Sequence, residues 1–174
     1  NTIDDILDIA KIKTQQIQVN KKEMDVNALL LELKKLFSFD RKYLNKSNID
    51  FIADLKEREC IIHTDPYKVR RILLALIDNS LKFTKRGVIK FGYSNNNSHI
   101  QFFVKDTGIG ISPDGEKDIF NSFNQLENGL TKNYRGIGLG LTIAKSFVEI
   151  LNGKIWFDSE SNKGTVFYFS IPIN

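Results

Sequence analysis

From Ser112 to Tyr134 the chain is polar and without sustained hydrophobic periodicity, yet it lies inside a 174-residue sequence. Long stretches without regular structure are uncommon in compact domains, and they are usually functional loops. Alternating glycines flank this one on both sides. Asp106-Thr107-Gly108-Ile109-Gly110 precedes it and Arg135-Gly136-Ile137-Gly138-Leu139-Gly140-Leu141 follows it. A fold for this chain must hold the two ends of a long mobile lid.

The segments around the lid have clear periods. Ile3, Ile6, Leu7, Ala10 and Ile17 recur at helical spacing, the tail of an amphipathic helix whose partner face lies outside the chain. A peripheral helix packed on the domain would show the same pattern. Met24–Val26 reads as a short strand, with Asn27 as the N-cap of a helix carrying Leu29, Leu30, Leu33, Leu36 and Phe37. Ile49–Leu55 and Cys60–His63 read as strands. Asp65-Pro66 is a strong helix start, cap followed by proline, and Val69, Ile72, Leu73, Leu76, Ile77 and Leu81 continue that helix's buried face.

Val88–Tyr93 and Ile100–Val104 form a hairpin pattern around Ser94–Ser98. After the lid comes a helix over Leu139–Leu151 with Gly153 placed to end it, then strands Ile155–Asp158 and Thr165–Ile171. Helices segregated from consecutive antiparallel strands predict an α+β two-layer sandwich.

One cysteine, Cys60, allows no disulfide within the chain and suits a reducing compartment. One Cys and two His at these spacings build no metal cluster. Apolar runs such as Ile72–Ile77 are too short to span a bilayer. The sequence begins at Asn1 without a signal-peptide pattern, as expected of a piece of a longer protein. A cytoplasmic location is expected for it, and anchoring of the parent in the inner membrane is compatible with that. Net charge is only +4, with 25 basic residues interleaved among 21 acidic ones. That mixture argues against a nucleic-acid groove, despite the pI near 9.1.

Three segments carry chemistry. A carboxylate leaving an apolar strand, Asp106, suits an exocyclic amine such as adenine's, with Gly108 and Gly110 letting backbone approach a flat base. Taken alone this is also an ordinary Asp-Gly turn. Gly136, Gly138 and Gly140 run into a helix whose first amides suit a polyphosphate. The spacing and the preceding polar stretch are not those of a Rossmann fingerprint, and no Gly-Lys-Ser/Thr loop is present. On the Asp65 helix, Asn79 and Lys82 are three residues apart and share a face. The amide is a plausible hard ligand for Mg²⁺ and the ammonium a phosphate partner. A solvated polar face would look similar.

In this order, Asn79, Asp106-x-Gly108-x-Gly110, Ile119-Phe120 with Phe123, and Gly136-x-Gly138-x-Gly140 resemble the N, G1, F and G2 boxes of the histidine-kinase ATPase domain. Gly164-Thr165-Val166-Phe167 resembles that family's last strand entry. The resemblance runs from about Glu23 to Asn174. It implies a Bergerat ATP-binding fold, a mixed sheet backed by helices under a long ATP lid.

Carried over by position, the resemblance places Mg²⁺ on Asn79, Lys82 near the phosphates and Asp106 on the adenine amine, in a pocket shaped by Gly108 and Gly110. Phe120 and Phe123 would anchor the lid. Gly136, Gly138, Leu139 and Gly140 would wrap the triphosphate, and Thr165 would stand at the base wall. Lys132 and Arg135 are candidates for the terminal phosphate, Arg135 as a catalytic cation, although solvated loop charges would read alike.

The resemblance also implies a two-component sensor kinase, including the hybrid kind, that transfers the γ-phosphate of Mg-ATP to a histidine on a separate dimerisation domain. Residues 1–22 would then be the end of the second dimerisation helix plus a linker, and residues 23–174 the catalytic domain. The implied partners are that dimerisation domain and a response regulator receiver domain. The parent would be a homodimer, and this chain a monomer or weak dimer.

Hydrolysing relatives place a glutamate base four residues before the metal asparagine. Here Ala75 holds that position, which predicts slow ATP hydrolysis. His63 and His99 lack the acid, base and Thr/Ser-Pro context of a phosphoacceptor, so neither is expected to accept phosphate. Two other readings share the motifs: a serine kinase of the anti-sigma type, and a nucleotide-binding module without catalysis.

Overall fold

In the computed structural model, residues 2–14, 16–39, 48–96, 98–112, 119–120 and 139–173 are described. Their order is α1 (Thr2–Lys13), β1 (Lys22–Asp25), α2 (Val26–Phe39), β2 (Ile49–Asp54), β3 (Ile61–Thr64), α3 (Pro66–Phe83), β4 (Gly87–Asn95), β5 (His99–Asp106), α4 (Gly140–Ile150), β6 (Lys154–Glu160) and β7 (Gly164–Pro172).

Five strands form one sheet in the order β2-β4-β5-β7-β6. β2 runs parallel to β4, whereas β4–β5, β5–β7 and β6–β7 are antiparallel, so the sheet is mixed as expected. Period-two alternation sends Ile89, Phe91, Ile100, Phe102, Val104, Phe167, Phe169 and Ile171 to one buried face. There α2 meets β2, α3 meets β4 and β5, and α4 meets β6 and β7. Each buried Phe or Ile contributes about 1.5–3 kcal/mol through area removed from water. The opposite face carries a row of partly exposed aromatics, with Trp156 stacked on Tyr168 at 5.5 Å between ring centres.

α3 is the spine of the helical layer. Asp65 caps it in extended conformation, accepting from Lys68 N at 3.1 Å, with Pro66 at its first position. Its stripe of Val69, Ile72, Leu73, Leu76, Ile77 and Leu81 is buried, as the spacing predicts. Asp65 also pins the chain before β1. Its Oδ2 accepts from Lys68 Nζ at 2.6 Å and from Asn20 N at 2.9 Å, and the same ammonium donates to Gln18 O at 2.8 Å.

Several local expectations are corrected. α1 ends at Lys13, short of the predicted Ile17, and it meets the domain with a different face. Ile3, Ile6 and Leu7 are 67%, 53% and 51% exposed, while Asp8 is 4% exposed. Arg71 on α3 ties that face down, bonding Asp5 at 2.7 Å and Asp8 at 2.6 Å, and Tyr67 Oη donates to Asp8 at 3.1 Å.

Asn27 does not cap α2. The helix begins at Val26, Asp25 Oδ1 accepts from Asn27 N, and the Asn27 amide instead donates to Lys56 O and Arg58 O. At the end of α4 it is Asn152, at φ 57°, that takes the left-handed turn ahead of Gly153. Gly153 N then donates to Val148 O at 2.8 Å.

Candidate functional site

Asp106 ends β5 with its side chain 4% exposed, and three elements converge on it. Gly108 N donates to Oδ1 at 2.9 Å and Thr165 N, at the start of β7, to the same oxygen at 3.3 Å. Ser80 Oγ on α3 donates to Oδ2 at 2.9 Å. Burial pushes the Asp106 carboxyl above its usual range, against the lowering influence of the Gly108, Ser80 and Thr165 donors. All three are neutral, so they compensate the buried charge only in part.

The glycines around it are sterically required. Gly110 adopts φ 68°, and a Cβ there would collide with Glu160 O. Gly164, at φ 110°, would drive a Cβ into Asp106 O. A left-handed backbone with no room for a side chain admits glycine alone. These two positions let the loop after β5 and the β6–β7 turn close on each other. Asn162 N donates to Ile109 O at 2.7 Å across that contact, and Ile111 N to Ser159 Oγ at 2.8 Å.

α3 also meets Gly140, which opens α4. A Cβ built on Gly140 would lie 3.7 Å from the Ala75 methyl, one helical turn before Asn79. Gly140 opens α4 with Leu139 at its cap, so the amide end of α4 faces the part of α3 that carries Asn79. Asn79 is partly exposed. Lys82 Nζ sits 5.2 Å over the Phe83 ring, and burial lowers its pKa. Leu139 is 6% exposed and packs in the core, which leaves its backbone rather than its side chain for a ligand.

Phe120 is a packing anchor, with ring centres 6.0 Å from Phe157 and 6.3 Å from Phe167. Its carbonyl accepts from Thr142 Oγ1 of α4 at 3.4 Å. Phe123, Lys132, Arg135, Gly136 and Gly138 lie outside the described residues. His63 and His99 are exposed. Among the described residues no group of three or more His, Cys, Asp or Glu is placed to hold a metal. No described helix is long and apolar enough to cross a membrane.

The structure thus joins Asn79, Lys82, Asp106, Gly108, Gly110, Gly140 and Thr165 through α3, β5, β7 and the start of α4. Sequence reading missed Ser80 and Ser159. A serine on a helix or in a strand carries no signal until its partner is known.

This is the arrangement of a histidine-kinase-type ATP-binding domain. The model of the family "Histidine kinase-, DNA gyrase B-, and HSP90-like ATPase" matches residues 64–174, and the chain belongs to that family. The autoinducer 2 sensor kinase/phosphatase LuxQ of Vibrio vulnificus is 34% identical over 98% of this chain, which spans 20% of that protein. The catalytic domain of the histidine kinase ThkA, in a nucleotide-free form, matches with a TM-score of 0.74 and 28% identity. That match covers 88% of this chain and 98% of that one. Full-length ShkA in complex with AMPPNP matches with a TM-score of 0.82 and 27% identity over 98% of this chain and 35% of that one.

Proposed function

We propose that this chain is the catalytic part of a two-component sensor histidine kinase. In this reading it transfers the γ-phosphate of ATP to a histidine on a dimerisation domain of the parent protein. A response regulator receiver domain would accept the phosphoryl group next. Residues 1–22 belong to the end of the second dimerisation helix and its linker, and residues 23–174 to the catalytic domain. The observation that carries the reading is the meeting of three elements on α3: Asp106 through Ser80 at 2.9 Å, the Gly140 end of α4 against Ala75, and Asn79 between them.

Asp106 and Thr165 would receive the adenine, and the first amides of α4 with Gly136 and Gly138 the phosphates. Asn79 offers one hard amide oxygen, which fits a Mg²⁺ that takes its other ligands from phosphate and water. Bound there, Mg²⁺ would neutralise the triphosphate charge. Lys82, with its ammonium partly desolvated, would lie beside the phosphates, and Arg135 would meet the terminal one.

Transfer of this kind is mainly positioning and charge neutralisation. A neutral imidazole nitrogen forms the N–P bond as the bond from the γ-phosphorus to the bridging oxygen breaks, and ADP leaves with that electron pair. Ala75 puts a methyl where a water-activating acid would stand, so phosphoryl transfer is favoured over hydrolysis.

The test mixes this chain with a dimerisation domain carrying the phosphoacceptor histidine and with ATP labelled on its γ-phosphate. Acid-labile, base-stable label on the histidine is expected, lost on Asn79→Asp. Acid-stable label on serine would point to the anti-sigma-type kinase. Tight ATP binding without transfer would reduce the chain to a binding module.

A further inference from the structure

Two hydroxyls beside Asp106 obey a proton count that the motifs do not announce. Ser159 Oγ has one proton and two lone pairs. Ile111 N donates to it at 2.8 Å and fills one lone pair. The Gly164 carbonyl, 3.1 Å away, can only accept, so it takes the Ser159 proton. Thr165 Oγ1 stands 2.9 Å from the same oxygen. All three contacts are met together only when the threonine hydroxyl donates to the remaining lone pair. Toward any further partner Thr165 is then an acceptor and nothing else.

Asp106 has the same sense. Its Oδ1 already receives the Gly108 and Thr165 amides, and its Oδ2 the Ser80 hydroxyl. What is left on Oδ2 is acceptor capacity. Oδ1 is too fully used for a two-pronged carboxylate contact with an N–H pair. A ligand edge meeting Asp106 and Thr165 finds acceptors without a donor. An amino group satisfies them, whereas a carbonyl oxygen leaves buried acceptors facing one another.

We propose that Ser159 is a positioning residue for base specificity. By holding the Thr165 hydroxyl as an acceptor, it makes the site select a 6-amino purine over a 6-oxo purine. The inference rests on the nucleotide reading of the site given above. Ser159 needs no contact with the ligand; it acts through Thr165. Removing it frees the threonine hydroxyl to turn and donate, so a 6-carbonyl gains one donor beside the Asp106 acceptor.

ATP and ITP are the matched probes, because they differ by the exchange of the 6-amino group for a 6-oxo group with a proton on N1. Calorimetric affinities for both, with Mg²⁺, are measured on the 174-residue chain and on Ser159→Ala, Ser159→Thr and Thr165→Val. The starting chain should prefer ATP by more than about tenfold, the scale of one unmet buried hydrogen bond. In Ser159→Ala that ratio should fall by about tenfold, chiefly through tighter ITP binding, and Ser159→Thr should restore it. Thr165→Val should lower the ratio by the other route, weakening ATP while ITP holds.

Equal weakening of both nucleotides in Ser159→Ala would mean a merely structural serine and would overturn the proposal. If Ser159→Ala fails to fold, an unchanged ratio in Thr165→Val overturns it instead. Should the starting chain bind neither nucleotide, the nucleotide reading itself falls. Should it bind ATP and ITP equally, only the role of Ser159 falls.

Discussion

Asp65 and Asp106 make an instructive pair. Each follows or ends a strand, each is nearly inaccessible at 3% and 4% exposure, and each accepts three hydrogen bonds. Burial pushes both carboxyls upward. At Asp65 the Lys68 ammonium at 2.6 Å, with the amides of Asn20 and Lys68, outweighs burial and holds the group below the usual carboxylate range. At Asp106 the donors are neutral, burial wins and the group sits above that range. The number of hydrogen bonds is the same. The charge of the donors separates a charge-paired acid at the start of α3 from one that, in the proposed function, would read a ligand.

The largest test of this contrast is Asp65→Ala. It would strand the Lys68 ammonium, whose side chain is 5% exposed, without its counter-charge. It would also uncap α3 and release Asn20. A loss of about 3–5 kcal/mol is expected from urea unfolding, the scale of a broken buried ion pair. A loss under about 1 kcal/mol would show that the pair does not hold the fold. ATP affinity of the folded protein should stay the same.

Asp106→Asn should do the reverse. An amide keeps an oxygen for the Gly108 and Thr165 amides, and its NH₂ can donate to Ser80, so the unliganded fold should change by less than about 1 kcal/mol. It loses the acceptor for an amine, so calorimetry should show ATP binding weakened about ten- to a hundredfold, or ~1.5–3 kcal/mol. If stability collapses while affinity persists, the roles of the two acids are exchanged.

The smallest effect is the pH dependence, and the two acids give it opposite signs. Asp65 has a depressed folded pKa, so its stabilising contribution is present above the unfolded pKa and is lost as pH falls through the folded one. Asp106 has a raised folded pKa, so its charge is a cost that sets in as pH rises from the unfolded pKa through the folded one. Urea midpoints on acidification should bring Asp65→Ala toward the parent protein. They should make Asp106→Asn fall below it. Parallel curves for both variants would break the comparison.

Local signals were legible where the physics is local. Asp65-Pro66 announced α3 because a cap bonds an amide three residues on, and Lys68 N is indeed its donor. Val88–Tyr93 and Ile100–Val104 read as a hairpin, and β4 pairs antiparallel with β5. Asn27 misled, since its side chain serves a distant loop at Lys56 and Arg58 and accepts from Tyr93 Oη at 3.1 Å, while Asp25 takes the local capping bond. α1 misled differently. Ile3, Ile6 and Leu7 of its stripe stay exposed, while the carboxylates of Asp5 and Asp8 join the helix to α3, and pairing with Arg71 carries no periodicity. Ser80 was invisible because its partner lies 26 residues away.

By itself the sequence determined the order of helices and strands, the buried stripe of α3, and the glycine and carboxylate motifs that place the chain in an ATP-binding family. These rest on periodicity and on short-range backbone requirements, which neighbouring residues settle among themselves. Only the tertiary structure decided which acid is charge-paired, which hydroxyls surround Asp106 and in what donor sense, and which face of α1 meets the domain. The last two depend on groups far apart in the chain reaching hydrogen-bond distance through the packing of α1, α3, β5, β6 and β7. Asp65 and Lys68, by contrast, are three residues apart, and the tertiary structure supplies the burial that gives their pairing its weight.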